Sequence, residues 1–213
     1  MFRVKFAWGI ALAMLLAYPA RAEKIRTHFD SDSAGRPPAF FDLVVWGTPG
    51  NAEWLVLAET NPPSTPNKVI QTIAARPAGS LAVALRRTYS FQDGDLSVGL
   101  RRGSSGRAGI VFRATGEKDF LLLLLDIANG DARLTSWRDG RETELASGKA
   151  AVDHEWGTLS VTASGPSLTA RWNGKPLLAA ADPHPAAGRV GLATAGPGQT
   201  SFDELVFDAA PAR

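Results

Sequence analysis

The sequence predicts an all-β protein, a sandwich or jelly roll of antiparallel strands. Short apolar segments of strand length recur every eight to twelve residues from Lys68 onward, and no segment shows sustained helical periodicity. Asp139-Gly140 and Asn173-Gly174 are typical of two-residue hairpin turns, because both positions tolerate positive φ. No change of composition and no long linker follows residue 30, so residues 23–213 are predicted to form one β-sandwich domain.

The strongest local signal is Gly106–Ile127, which predicts a hairpin of the strands Ala108–Ala114 and Phe120–Ile127. The second strand contains five consecutive leucines, Leu121–Leu125. Successive side chains of a strand point to opposite faces, so an unbroken apolar run indicates burial on both sides. We therefore expect this hairpin at the centre of a sheet that another layer covers.

The remaining strands are predicted from short apolar or alternating runs that turn residues bound. Trp54–Glu59 is a predicted strand, whereas Phe40–Trp46 fits either a strand or a short helix. Asn61–Asn67 contains three prolines and is a predicted exposed loop, because proline cannot donate to a strand ladder. The other predicted strands are Val69–Ala74, Ser80–Leu85, Asp95–Arg101, Ala132–Arg138, Glu142–Ala146, Thr158–Ala163, Leu168–Trp172, Leu177–Ala180, Arg189–Thr194 and Phe202–Phe207.

Residues 1–22 have the pattern of a cleavable signal peptide. Arg3 and Lys5 form a basic start, Ala7–Tyr18 is an apolar core, and Ala20-Arg21-Ala22 is a small-x-small cleavage site. The core is shorter than the roughly 20 residues that a membrane-spanning helix needs. We expect a periplasmic or secreted protein that is not inserted in the membrane after cleavage.

Removal of this leader changes the charge balance. Without Arg3, Lys5 and Arg21, 20 basic residues face 21 acidic ones, so the chain has no general electrostatic attraction for nucleic acid. The sequence contains no cysteine, which excludes disulfides, thiolate metal sites and a cysteine nucleophile.

Several segments together resemble a known family. They are Ala108–Ala114, Asp119–Ile127, Leu134–Ser147, Trp156–Leu177 and Ala187–Phe207, with fainter matches at Phe29-Asp30, Ala52–Val56 and Asn67–Gln71. In these segments the chain resembles the laminin-G-like, concanavalin A-like lectin and glucanase sandwiches. It resembles most the bacterial exported domains described as 3-keto-disaccharide hydrolase-like or glycoside-hydrolase-like. The resemblance implies a concanavalin A-like jelly-roll sandwich of two antiparallel sheets.

The resemblance does not extend to the catalytic motif of the glucanases. Those enzymes carry E-x-D-x-x-E on one strand, where the acids serve as nucleophile and general acid. That spacing is absent here, and the corresponding strand offers leucines and only Asp126. We expect a non-catalytic protein that binds a carbohydrate or another envelope polymer on the sheet of the central hairpin. A glycosidase with atypical acids and a structural protein-binding module are the alternatives.

Five residues are the candidates for ligand binding. Trp137, Trp46 and Trp54 are candidates because indole rings stack on sugar rings, although they pack cores equally well. Asp126 is expected to face Arg113 across the hairpin, either as an ion pair or turn cap, or as part of a binding site.

Other polar groups give weaker indications. His28, His154 and His184 lack the spacing of a zinc site. By the family resemblance, Asp30 and Asp203 are candidates for a structural calcium site, in which six to eight oxygens are needed.

Charged residues elsewhere are interpreted mainly as surface. Glu142 and Glu144 share one strand face and are expected to be solvated rather than catalytic. Five arginines are predicted to form a solvated face or to protect an edge, with an anionic polysaccharide or lipid headgroup as the functional alternative. They are Arg86, Arg87, Arg101, Arg102 and Arg107.

Overall fold

The computed structural model describes residues 23–59, 61–72, 79–101, 106–196 and 198–210. The predicted signal peptide and Arg102 lie outside these ranges. Within them the chain forms fifteen strands and no helix, and so none that could cross a membrane. The strands are β1 (Glu23–Thr27), β2 (Phe41–Gly47), β3 (Glu53–Ala58), β4 (Asn67–Thr72), β5 (Ser80–Arg86), β6 (Gly94–Arg101), β7 (Arg107–Gly116), β8 (Asp119–Asp126), β9 (Asp131–Arg138), β10 (Arg141–Lys149), β11 (Trp156–Ser164), β12 (Ser167–Trp172), β13 (Lys175–Ala181), β14 (Arg189–Ala195) and β15 (Thr200–Ala209).

The strands pair into two antiparallel sheets. One has the order β13-β12-β11-β6-β15-β4-β3, with β1 as an eighth strand on β15. The other has seven strands in the order β10-β9-β8-β7-β14-β5-β2. In the β1–β15 pair, Glu23 lies opposite Ala209, so the first strand begins beside the end of the last strand. The predicted sandwich of two antiparallel sheets is confirmed.

The central hairpin is also confirmed, as β7 and β8 in the interior of the seven-stranded sheet. The leucines of β8 alternate between two apolar clusters. Leu121, Leu123 and Leu125 belong to the main core between the sheets. Leu122 and Leu124 belong to a second cluster on the outer face of the seven-stranded sheet. Each of the five is at most 7% exposed, which explains the unbroken apolar run.

The ambiguous segment Phe40–Trp46 is a strand, β2, at the edge of the seven-stranded sheet. Phe41 and Trp46 are buried in different clusters, while the residues between them are only partly covered. Because β2 lies at the sheet edge, its side chains do not alternate regularly between buried and exposed, which is the pattern by which strands are recognised. The predicted strand Val69–Ala74 is observed as β4, whose last residue is Thr72, and its predicted end lies outside the described residues.

Candidate functional site

The outer face of the seven-stranded sheet curves into a concavity. Trp46 on β2 and Phe120 on β8 have ring centroids 4.7 Å apart, although β5, β14 and β7 lie between their strands. Strands are about 4.8 Å apart, so a flat sheet would separate β2 and β8 by roughly 19 Å. The ring contact therefore requires strong curvature toward this side. We call this outer surface of the seven-stranded sheet the concave face.

Three aromatic side chains form a cluster on the concave face. Phe120 stacks on Trp137 of β9, with ring centroids 5.4 Å apart and an interplanar angle of 10°. Phe120 and Trp46 are only 1% and 7% exposed, whereas Trp137 is partly exposed. The Nε1 atom of Trp137 is buried and has no hydrogen-bond partner among the described residues. A ligand can therefore reach Trp137 through the exposed part of the residue and not through Nε1.

Charged side chains border this aromatic cluster. Glu142 of β10 lies opposite Trp137 in the strand register. Arg133, on the same face of β9, donates from Nε to Glu144 at 2.5 Å, and its Nη1 lies 3.5 Å from Glu142. All three side chains are about two-fifths exposed, at 38–43%. They form a polar strip beside the exposed indole and stay open to solvent, as expected for both glutamates.

The strip continues into a cleft of about 590 Å³, which Arg133 also lines. Its other charged residues are Arg107, Asp126, Asp131 and Lys149, and Lys149 Nζ lies 2.7 Å from Asp131. Asp126 Oδ1 accepts from the amides of Ala128 and Asn129 at 3.0 and 3.2 Å, so it caps a turn. Its side chain nevertheless lines the cleft.

On the concave face, β8 presents three apolar side chains and, at its end, Asp126. Phe120, Leu122 and Leu124 of β8 belong to the outer cluster, and none can act as a nucleophile or general acid. The carboxylates of this face are engaged: Asp126 caps a turn, Asp131 pairs with Lys149, and Glu142 and Glu144 contact Arg133.

The predicted contact between Arg113 and Asp126 is wrong. In the register of β7 and β8, Asp126 lies opposite Arg107, and a bulge between Phe112 and Gly116 turns Arg113 away, with φ of 51°. The Arg113 side chain is fully buried. It donates to Asp182 at 2.8 Å, to Asp93 at 3.3 Å and to the carbonyl oxygens of Gln92 and Gly165. These contacts join four segments of the chain, those of Arg113, Gln92-Asp93, Gly165 and Asp182, and they engage all three guanidinium nitrogens.

Trp54 lies far from the concave face in the topology. It belongs to β3 of the eight-stranded sheet, is 1% exposed, and packs against Phe202 with a centroid distance of 5.7 Å. Trp46 and Trp54 flank one loop in the sequence, but the structure places them on different sheets. Of the five predicted ligand-binding residues, Trp137, Asp126 and Trp46 share the concave face.

Asp30 and Asp203 do come together, through Ser64. Asp203 is fully buried, and accepts from the Ser64 amide at 2.6 Å, the Ser64 hydroxyl at 2.9 Å and the Glu204 amide at 2.7 Å. Asp30 Oδ1 accepts from the Asn67 amide at 3.1 Å. Burial raises the pKa of Asp203 to about 6, although the hydrogen bonds from Ser64 and Glu204 oppose the shift.

This cluster does not fit the predicted calcium site. The Ser64 hydroxyl lies between the two carboxylates, 3.5 Å from Asp30 Oδ1, and both oxygens of Asp203 already accept hydrogen bonds. Calcium needs six to eight oxygens. The described part of the chain contains no group of three or more His, Asp or Glu side chains that could hold a metal ion. The residues present form a hydrogen-bonded clasp between the β3–β4 loop and β15.

The predicted arginine cluster is dispersed. Arg107 begins β7 at one end of the seven-stranded sheet, whereas Arg86 ends β5 at the other. Arg101 belongs to the other sheet and pairs with Glu59 and Glu155. Of the four arginines of this set that the structure describes, Arg86 and Arg87 are the two that lie together.

Two further site residues, Arg133 and Phe120, could have been found from strand periodicity. Arg133 lies four residues before Trp137 on β9, and Phe120 lies two residues before Leu122 on β8, so each pair shares a strand face. Which face is concave depends on sheet curvature, and short-range alternation does not report it.

No protein family model matches the chain, and no curated protein matches its sequence. Solved structures do match its shape. A structure described as a native glycosidic hydrolase has a TM-score of 0.61 and 9% identity, over 89% of this chain and 96% of that one. The carbohydrate-binding module CBM66 from Bacillus subtilis has a TM-score of 0.54 and 17% identity, over 71% and 92%. The Bacillus licheniformis β-glucanase has a TM-score of 0.55 and 7% identity, over 89% and 98%.

The two antiparallel sheets and the shape likeness to these structures together identify the architecture. The fold is a concanavalin A-like jelly roll. Jelly rolls with this architecture include a binding module and hydrolases among these neighbours, so the likeness fixes the fold and leaves the activity to the site. In this jelly roll, the concave face is where the aromatic cluster of Trp137 meets the charged side chains of Arg133, Glu142 and Glu144.

Proposed function

We propose that this protein binds a glycan on its concave face without cleaving it. The observation that carries the proposal is the partly exposed indole of Trp137, stacked on Phe120 and bordered by Arg133, Glu142 and Glu144. Sugar rings present an apolar face to aromatic side chains and hydroxyl groups to charged ones. The arrangement offers both partners on one surface.

The cleft beside this strip gives the glycan room to extend. At about 590 Å³ it lies within the range of small-ligand sites, and Arg133 connects it to the aromatic cluster. The shape likeness to a carbohydrate-binding module supports binding as the function. Hydrolysis requires two carboxyl groups positioned on either side of the scissile bond. The absence of catalysis is supported by the ion pairs of Glu142 and Glu144 with Arg133 and by the turn-capping role of Asp126.

Replacement of Trp137 by alanine is expected to weaken glycan binding about fivefold, because stacking contributes on the order of 1 kcal/mol. A glycan array with the purified protein identifies a ligand, and calorimetry then compares the variants. Trp156→Ala is the matched control, since Trp156 is another partly exposed indole but begins β11 on the other sheet. Equal losses in both variants, or no binding to any glycan, would contradict the proposal, and release of shortened glycan would favour an enzyme.

We propose further that the protein is exported by its N-terminal leader. The basic start, the apolar core and the Ala20-Arg21-Ala22 motif support this route. N-terminal sequencing of protein from fractionated cells is expected to find Glu23 as the first residue, in the periplasm or medium. Recovery from the cytoplasm with residues 1–22 attached would refute it.

A further inference from the structure

Arg86, at the end of β5, is a buried cation that has no carboxylate partner among the described residues. Arg86 is 9% exposed, and its Nε has no hydrogen-bond partner among the described residues. Among the described residues, no carboxylate lies within salt-bridge distance of its guanidinium; Arg113, by contrast, pairs with Asp182 at 2.8 Å. A buried charge is costly unless it is paired, so this arginine requires an explanation.

Aromatic rings provide part of its environment. The guanidinium carbon lies 5.6 Å from the ring centroid of Phe40 and 5.5 Å from that of Phe41. These distances are typical of cation–π interactions, in which the ring faces stabilise the positive charge. These interactions leave the buried Nε of Arg86 without a hydrogen-bond partner among the described residues. Burial accordingly lowers the pKa of Arg86, and the charges of Tyr89 and Asp32 only partly oppose that shift.

The neighbouring acids are already engaged. Asp32 Oδ2 accepts from the amide of Ala39 at 3.1 Å. Asp42 lies 3.0 Å from Arg87 and 2.6 Å from Arg189, and the pKa of Asp42 is lowered by these hydrogen bonds. Three arginines thus face two aspartates at this end of β5. The local excess of positive charge favours an anion.

Two exposed aromatic residues adjoin the same position. Phe40 and Tyr89 are 63% and 44% exposed, with φ of 61° and 70°. Large side chains rarely adopt this left-handed conformation, and such strain is concentrated at functional sites. Phe40 thus offers an accessible aromatic ring directly over Arg86, and Tyr89 is close enough to act on its charge.

We propose that Arg86 anchors a second ligand site, which binds a carboxylate carried on a sugar ring, the chemistry of a uronic acid residue. A carboxylate accepts two N–H groups from the guanidinium edge, while the faces stay packed on the phenylalanines. The apolar face of the sugar ring then packs on Phe40 or Tyr89.

This site is separate from the concave face. Ala82 and Ala84, which alternate with Arg86 on β5, belong to the core between the sheets. Leu81, Val83 and Leu85 point the other way, into the outer cluster. The proposal therefore does not depend on glycan binding at Trp137.

The test compares glucuronate, acetate and glucose at constant ionic strength, with binding followed by nuclear magnetic resonance titration. The wild-type protein is expected to bind glucuronate at least about tenfold more tightly than glucose, because a charge-assisted bidentate contact is made only with the acid. Acetate is expected to bind more weakly than glucuronate, since it lacks the ring. Equal affinities for acetate and glucuronate would overturn the sugar part of the proposal.

Arg86→Met removes the charge but keeps an apolar chain of similar length between the rings. It is expected to weaken glucuronate binding at least about tenfold and to melt no lower than the wild type, because an unpaired buried charge has been removed. Arg87→Met, which removes the adjacent exposed charge, is expected to retain binding. Arg86→Lys keeps the charge without the planar fork and is also expected to bind glucuronate more weakly.

Two results would overturn the assignment of Arg86. One is glucuronate binding that persists in Arg86→Met. The other is a wild-type protein that does not respond to glucuronate while Arg86→Met melts several degrees lower, which would make Arg86 a packing residue. Nuclear magnetic resonance also reports where glucuronate binds, and shifts are expected at residues around Arg86. Shifts confined to the surroundings of Trp137 would assign the binding to the concave face, so failure here is distinguishable from failure there.

Discussion

Replacement of Arg113 by alanine is expected to lower the free energy of unfolding by about 3–5 kcal/mol. The guanidinium and the Asp182 carboxylate are both fully buried, and the variant would leave Asp182 with only Arg138 and the His184 amide as partners. It would also leave the carbonyl oxygens of Gln92 and Gly165 without these donors. Denaturation by urea, followed by tryptophan fluorescence, measures the change.

The matched control is Arg87→Ala. Arg87 also pairs with an aspartate, Asp42, but its side chain is 59% exposed. An exposed ion pair contributes less than about 1 kcal/mol, so a small effect is expected there. Similar losses of stability in both variants would show that the buried network of Arg113 does not hold the segments together.

Stability is also expected to increase as the pH falls from 7 to 4.5, by about 2 kcal/mol from Asp203 alone. Its pKa is about 6 in the folded protein and 3.8 in the unfolded chain, so the folded state takes up the proton first. This contribution is fully present below pH 3.8 and is lost as the pH rises through 6. Urea denaturation at several pH values measures it.

Asp203→Asn is the control for this pH dependence. The amide cannot titrate, so the increase between pH 7 and 4.5 is expected to disappear, whatever the stability of the variant at pH 7. The lowered pKa values of Asp42 and Asp208 act in the opposite direction, but mainly below this range. An equal pH dependence in the variant would assign it to other groups.

The central hairpin was predictable because its evidence is local. Five successive leucines can be buried only if both faces of β8 are covered, and both are. The strand ends were predictable to within a few residues for the same reason. Edge strand β2 was ambiguous since its burial depends on its position in the sheet, which the segment Phe40–Trp46 does not encode.

The side-chain partners were not predictable from local pattern. Arg113 was assigned to Asp126 by proximity in the hairpin, but a bulge redirects it to Asp182, which is 69 residues away along the chain. The isolation of Arg86 is likewise a property of the folded environment, because acids lie nearby but bind other donors. The family resemblance predicted that Asp30 and Asp203 lie close together. It did not predict that the Ser64 hydroxyl would lie between the two carboxylates.

The pairing of Glu23 with Ala209 has a practical consequence for handling the protein. A tether joined ahead of Glu23 and one joined after Ala209 would both leave from the same end of the β1–β15 pair. This pair belongs to the eight-stranded sheet, whereas the concave face is the outer surface of the other sheet. Immobilisation at either position is therefore expected to leave the concave face uncovered.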